Sequence, residues 1–306
     1  MQPGLFKYYA AGAALKLASL NTITRRMYRA LGNFRNAYKP ETKIAEKYFF
    51  RSGKFLEMLR RHDLLQPGID VLEIGTGWVH WEALMVRNEV PCQTLLYDVW
   101  DNRSFNRFGR YATHLTVPEN RARLQLHAPE GLALMQDVAA TTDFTAAYER
   151  LGFRYMVDPT GLLAGIEAGS RDLIISSDVG EHLNRSDIPA ILARTHEILR
   201  PGGHAYHQVV LRDHLTIYSG PMHHKQYLSY SDAYYRRYLN NGVQYINQVQ
   251  VPQWREMFTQ AGFDIVEEDH ISSCDISEID VHPDWQHIPE RDLACTVVQF
   301  LVRRPE

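Results

Sequence analysis

Five of the fourteen histidines crowd into residues 204–224: His204, His207, His214, His223 and His224. His214 directly follows Asp213 at the end of an apolar run, and an imidazole titrating near neutrality suits removal of a proton from a hydroxyl. Neighbours on a regular strand point to opposite faces, so Asp213 and His214 need a bend there to act on one substrate. Otherwise the two read as a helix cap or a buried hydrogen-bonded pair. His182, in Glu181-His182-Leu183, is the second candidate for chemistry. A metal site built from His204, His207, Asp213, His223 and His224 is conceivable. However, His204 and His207 cannot face the same way on a strand, and no two histidines stand four apart, so no metal is expected.

Two further groups have types suited to gripping an acceptor. Arg103, Arg107 and Arg110 repeat at helical spacing beside Asn102 and Asn106, a stripe fit for a carboxylate or phosphate, or for a solvated helix face. Residues 212–250 hold seven of the seventeen tyrosines, Tyr218 and Tyr230 among them. Their apolar faces and polar tips suit a pocket for a sugar or an aromatic ring, and equally the packing of a helical lid.

These groups need a frame, and residues 69–211 supply one. Five short β-like runs alternate with helical stretches: Ile69 to Ile74, Cys92 to Tyr97, Arg154 to Val157, Asp172 to Ser176 and His204 to Leu211. Alternation of this kind implies parallel strands joined by right-handed crossovers, hence a doubly wound sheet. Toward the C-terminus a helical stretch from Pro252 to Gln260 precedes runs at Phe263 to Glu267 and Leu293 to Val302, which can pair antiparallel at one sheet edge. The expected fold is therefore α/β, a seven-stranded, mostly parallel sheet with an antiparallel edge strand. Insertions at about 100–150 and 212–250 interrupt it, and a helical arm or cap over 1–66 precedes the domain at 67–306.

The first strand runs straight into Gly75-Thr76-Gly77, where glycines permit a sharp turn and close approach of a ligand to the backbone. Asp98 ends the second strand, 21 residues after Gly77, where a carboxylate can accept from both hydroxyls of a ribose. Asp158 follows the third strand and could accept from an exocyclic adenine amine.

With these features the chain resembles the class I S-adenosylmethionine-dependent methyltransferases over residues 68–211 and 252–302. The motifs that carry the resemblance are VLEIGTG at 71–77, the acid of LLYD at Asp98, VDPT at 157–160, DLIISSDVGEHL at 172–183 and ILRPGG at 198–203. The resemblance implies S-adenosyl-L-methionine as cofactor. Glu73, Gly75, Thr76 and Gly77 would line its methionine and ribose, Asp98 and Val99 would hold the ribose, Asp158 would lie near the adenine, and Ser177 and Asp178 would border the methyl donor. Two departures stand out. Gly180 replaces the more usual leucine and is expected to open the substrate side, while Trp78 and Val79 replace a third small residue and are expected to narrow the cofactor side.

Methyl transfer from a sulfonium is an in-line displacement, so alignment supplies much of the catalysis and a base is needed only for a protonated nucleophile. His214, Asp213 and His182 are then the catalytic candidates, and Arg103, Arg107, Tyr218 and Tyr230 the acceptor-binding ones. The expected reaction is methylation, at oxygen ahead of nitrogen or carbon, of a small molecule or glycan precursor. The rival readings are a binding protein or partner subunit that has lost the chemistry, and an NAD-linked enzyme, which the missing third glycine disfavours.

The formal charge of −3 is unevenly spread. Residues 1–40 carry seven basic side chains (Lys7, Lys16, Arg25, Arg26, Arg29, Arg35, Lys39) and no acid, leaving 26 basic against 36 acidic residues in the remainder. An acidic body argues against a nucleic-acid partner, which needs a positive footprint. In the arm, Ile23, Met27, Leu31 and Phe34 repeat at helical spacing opposite arginines, which suits either a lid closing on an acidic acceptor or a peripheral contact with an anionic membrane. A homodimer is also compatible. No run approaches the roughly 18 apolar residues of a membrane span, Met1-Gln2-Pro3-Gly4 is a poor start for a secretory signal, and Cys92, Cys274 and Cys295 form no CxxC pair. The expected setting is cytoplasmic, with three reduced thiols.

Overall fold

The computed structural model describes residues 3–37 and 43–306. Lys39 lies outside the described residues, as do the side chains of Arg29, Phe34 and Arg35. The chain runs α1 (Pro3–Ala18), α2 (Thr22–Ala37), α3 (Glu46–Arg61), β1 (Asp70–Ile74), α4 (Trp81–Glu89), β2 (Gln93–Asp98), α5 (Phe105–His114), α6 (Pro118–Leu124), α7 (Pro129–Ala139), α8 (Phe144–Leu151), β3 (Phe153–Val157), β4 (Arg171–Ser177), α9 (Ile188–Ile198), β5 (Leu199–Val210), α10 (Thr216–Ser219), α11 (Asp232–Tyr234), α12 (Val251–Gln260), β6 (Asp264–Ser273), α13 (Glu290–Ala294) and β7 (Cys295–Arg303).

Local chemistry fixes several of these boundaries. Asp143 caps α8 by accepting from the Ala146 N–H at 2.9 Å, and Gly152 ends the helix at φ +70°. Gln250 and Gln253 form a reciprocal capping box at the start of α12, with Pro252 in its first turn.

The strands form one sheet in the order β3-β2-β1-β4-β5-β7-β6. β1 to β5 pair parallel, whereas β7 runs antiparallel to both β5 and β6. The antiparallel pair thus lies at one edge, with the reversed strand β7 second from the outside. Side chains alternate as the pleat requires. Val71, Leu96, Leu173 and Ile175 enter a core shared with α3, α4, α7 and α8, while Leu72, Leu95, Ile174 and Val298 enter a second core under α9 and α12. α3 contributes Phe55, Leu56 and Leu59 to the first of these cores, so it packs as a helix of the sheet layer rather than with α1 and α2.

A third, smaller core forms a cap. Tyr8 and Leu15 of α1 meet Leu215, Tyr227, Tyr235 and Leu239 of the 212–250 insertion, and Ile276, Trp285 and Leu293 close it from the segment before β7. That last segment, between β6 and β7, was not marked by the sequence as part of a cap.

Candidate active site

The order of the sheet reverses beside β1: β2 lies on one side, β4 on the other. A crevice at the carboxyl ends of the strands is expected at such a switch point. The ends of β3, β2, β1 and β4 bring Asp158, Asp98, Gly75 and Ser177 into one row.

The turn after β1 is tightly built. Gly75 and Gly77 adopt φ of +71° and +61°, and the Gly75 and Thr76 N–H groups both donate to the Tyr97 carbonyl, at 2.8 and 3.3 Å. A Cβ on Gly75 would lie 2.3 Å from Val179 Cγ2, so only glycine fits between this turn and the loop after β4. Asp98 faces the turn. Its Oδ2 accepts from Gly77 N at 3.2 Å and Asn102 Nδ2 at 3.3 Å, and its Oδ1 from Val99 N at 2.8 Å. Burial pushes the carboxyl up from its ordinary range against the pull of these donors. Two carboxylate oxygens have capacity for more than three donors, which leaves acceptor sites for a ligand. Ser177 Oγ, at the end of β4, is buried with no hydrogen-bond partner among the described residues.

Asp158 is committed internally. Tyr97 Oη donates to it at 2.8 Å, as do the Thr160 hydroxyl at 2.6 Å and the Thr160 and Ala164 N–H groups. Burial raises its pKa, but these donors outweigh burial and hold it at about 2. It organises the loop after β3, and Val99 lies against Gly161 of the same loop.

Glu73 lies beneath the turn, fully buried, and accepts from Thr76 Oγ1 at 2.8 Å. Burial, and then the neighbouring Glu82, push its pKa well up. Arg51 of α3, which the sequence did not single out, pairs with Glu82 at 2.5 Å and with Asp178 at 2.8 Å. Asp178 also accepts from Gln208 Nε2 at 2.8 Å and takes a left-handed φ of +58°. One guanidinium thereby compensates the carboxylates beneath the cofactor turn.

Asp213 and His214 face different partners. Asp213 turns into the cap, where it accepts from Tyr8 Oη at 2.5 Å, Tyr235 Oη at 3.3 Å and Leu215 N at 2.9 Å. Burial raises its pKa to about 6. His214 instead meets His182, with ring centroids 5.1 Å apart. His182 Nδ1–H donates to the Tyr245 carbonyl at 2.7 Å, and Asn247 ties the same turn through Gly180 O, Glu181 O and Leu183 O. Glu181, His182 and His214 offer ligand atoms all within 4.8 Å of one another. Desolvation by the surrounding turn lowers both imidazoles from their ordinary pKa, His214 to about 4, although the His182 side chain reaches the surface. The sequence signal for this cluster was the Glu181-His182 pair three residues beyond Asp178.

The other histidines of the 204–224 group disperse. His207 packs tilted against Phe258 with centroids 5.1 Å apart, and His223 pairs with the Asp275 carbonyl. The acceptor-side candidates are engaged within the protein: Arg103 is bidentate to Asp101 and stacks on Tyr155, Arg107 lies 4.2 Å from the Trp78 ring centre, Tyr218 meets Tyr28 at 3.1 Å, and Tyr230 stacks between Tyr8 and Tyr234. Arg107 over Trp78 covers the turn where the sequence lacks a third small residue. Gly180 does not open a space, because Val209 and Trp254 fill the position its side chain would take.

A glycine turn with a facing carboxylate, at the switch point of a doubly wound sheet, defines a nucleoside-cofactor site. Residues 44–268 match the methyltransferase domain family, and the chain belongs to it, as an S-adenosylmethionine-dependent methyltransferase. Asp98, the Gly75–Gly77 backbone and the unpartnered Ser177 hydroxyl fit that cofactor. Among solved structures, the chain is similar to phosphoethanolamine N-methyltransferase 2 of Haemonchus contortus in complex with S-adenosyl-L-methionine (16% identity, TM-score 0.46, covering 83% of this chain and 52% of that one). It is also similar to an S-adenosylmethionine-dependent methyltransferase of Mesorhizobium loti (14% identity, TM-score 0.42, covering 81% and 96%). A search of curated proteins found no match.

Proposed function

We propose that this methyltransferase transfers its methyl group to an oxygen of a small-molecule or glycan acceptor. The observation that carries the reading is the His182–His214 pair beside Asp178, on the segments following β4 and β5. The acceptor hydroxyl carries a proton that must leave, and an uncharged imidazole offers a ring nitrogen to take it; the lowered pKa of His214, about 4, keeps that nitrogen free but makes it a weaker base than a free histidine. The acidic body supports a non-nucleic-acid acceptor.

The arm has two parts in this reading. α1 belongs to the cap over the acceptor side, through Tyr8 and Asp213. α2 turns an apolar stripe outward and, with its arginines and lack of acids, suits an anionic membrane surface. Among the described residues no helix is long and apolar enough to cross a membrane, and three free cysteines fit a cytoplasmic setting.

Metabolite mass spectrometry of a strain lacking the gene tests the reading. The expected result is accumulation of a compound lacking one O-methyl group, restored by the wild-type gene and not by His214→Ala. A missing methyl on nitrogen or carbon, or full restoration by both His214→Ala and Asp98→Ala, would overturn it; the latter favours a binding protein without chemistry.

A further inference from the structure

We infer that Glu181, His182 and His214 form a binding site for a divalent first-row transition-metal ion at the acceptor side of the cofactor crevice. Two imidazoles and one carboxylate are a complete protein donor set for a catalytic ion with open positions, and imidazole donors favour zinc, cobalt or manganese over magnesium. Their ligand atoms already lie within 4.8 Å of one another.

Two independent observations point to an ion. Glu181 is only 3% exposed, yet its Oε2 has no hydrogen-bond partner among the described residues, and the buried His214 Nδ1 has none among them either. Buried polar atoms are normally satisfied, and both atoms belong to residues of the same cluster. In addition, His182 donates Nδ1–H to the Tyr245 carbonyl, which leaves the lone pair on Nε2. This is the outer-shell arrangement that orients a metal-ligating histidine. The rival cluster, Glu268, His270 and Asp292, lacks this character, because Arg255 pairs with both of its carboxylates at 2.5 and 2.9 Å.

The role of the ion rests on the O-methylation reading; its binding does not. With both imidazoles bound to the ion, the proton passes to water and not to a ring nitrogen: an acceptor hydroxyl on the open face of the ion becomes more acidic and releases it there. Its oxygen lone pair then forms the O–CH3 bond while the C–S bond of the sulfonium breaks, with that electron pair passing to sulfur. Asp178, held by Arg51 and Gln208, adds negative charge beside the site.

The test uses the full chain, stripped of metal with a chelator and titrated with Co2+ and Zn2+ without any acceptor. Visible absorption of bound cobalt and metal content after desalting read the binding. The expected result is about one equivalent per chain, with affinity falling about 10-fold or more in Glu181→Gln, His182→Ala and His214→Ala and unchanged in His270→Ala. Retained S-adenosylmethionine binding in each variant shows that the fold is intact. Absence of stoichiometric binding to the wild type, unchanged affinity in His214→Ala, or loss in His270→Ala instead would overturn the site. Because no acceptor enters the titration, a failed O-methylation reading leaves its outcome untouched.

Discussion

Arg51 Nη1 donates to Asp178 Oδ2 at 2.8 Å, joining a helix that precedes β1 to the loop that follows β4. The same guanidinium pairs with Glu82, whose side chain is 5% exposed. Removing one member of a buried pair strands the other charge, at a cost of roughly 3–5 kcal/mol. Arg51→Met is therefore expected to lower the urea unfolding free energy by about that amount. Arg51→Lys should recover only part of it, since an ammonium cannot span both carboxylates as a planar fork does. A loss below about 1 kcal/mol in Arg51→Met would show the pairs to be solvent-screened.

The turn after β1 predicts a contrast between two glycines. Gly75→Ala places a Cβ 2.3 Å from Val179 Cγ2 at a left-handed φ of +71°, so it should displace the loop that carries Asp178 and cripple cofactor binding. Gly53, within α3, has open space where a Cβ would go. Gly53→Ala should stabilise the protein by roughly 0.5–1 kcal/mol and leave cofactor affinity alone. Thermal melts and S-adenosylmethionine titrations of both variants check the pair of outcomes.

Asp98 is the carboxylate that faces the glycine turn, and hydrogen bonds to a charged acceptor contribute about 1.5–3 kcal/mol each. Asp98→Ala should weaken S-adenosylmethionine binding roughly 10- to 150-fold by calorimetry. Asp158→Ala should act differently. Both oxygens of Asp158 are taken up by Tyr97, Thr160 and Ala164, so the variant should lose stability first and cofactor affinity only secondarily. Equal affinity losses without a change in stability would place Asp158 against the ligand.

The contrast between these two acids marks what the sequence makes legible. Asp98, Gly75 and Ser177 stand at strand ends, and strand ends follow from runs such as Val71 to Ile74, whose periodicity is local. The cap follows no such rule. Asp213 finds Tyr8, 205 residues earlier, and Arg51 finds Asp178, 127 residues later. Spacing along the chain carries no information about partners that far apart, so the adjacency of Asp213 and His214 suggests a pair that the bend separates. Residues 276–293 lack periodicity altogether, which hides their place in the cap.

Lys225 yields a prediction about pH. It is fully buried, donating to Gln250 Oε1 at 2.8 Å and the Cys295 carbonyl at 2.9 Å. Burial lowers its pKa from 10.5 to about 7. Below about pH 7 the side chain is charged in both states, and the folded chain bears the full cost of burying that charge. Between pH 7 and 10.5 the folded chain has released the proton while the unfolded chain still binds it, so stability rises with pH across that window. The unfolding free energy of the wild type relative to Lys225→Met should therefore increase from about pH 6.5 to about pH 9.5. A flat or falling difference would mean that Lys225 keeps its charge in the fold.

α2 presents Ile23, Met27 and Leu31 one turn apart, at 70%, 67% and 60% exposure. Leu17 and Leu20 continue this exposed apolar surface through the preceding turn, and neither α1 nor α2 contains an acid. An apolar stripe flanked by arginines binds an interface through buried area plus attraction to anionic lipid, and each basic residue near the surface adds about 1 kcal/mol. Co-sedimentation should therefore show binding to vesicles of mixed phosphatidylcholine and phosphatidylglycerol, weak binding to pure phosphatidylcholine, and release by salt. Ile23→Asp with Met27→Asp should abolish binding through the apolar surface. Arg25→Gln with Arg26→Gln should weaken it only on anionic vesicles. Cofactor affinity should not change in either variant, because no residue of α2 touches the glycine turn or Asp98 among the described contacts. Equal binding to both lipid compositions would remove the role of charge. A dimer in solution that dissociates in the Ile23→Asp, Met27→Asp variant would show that a second copy, and not a bilayer, covers this face.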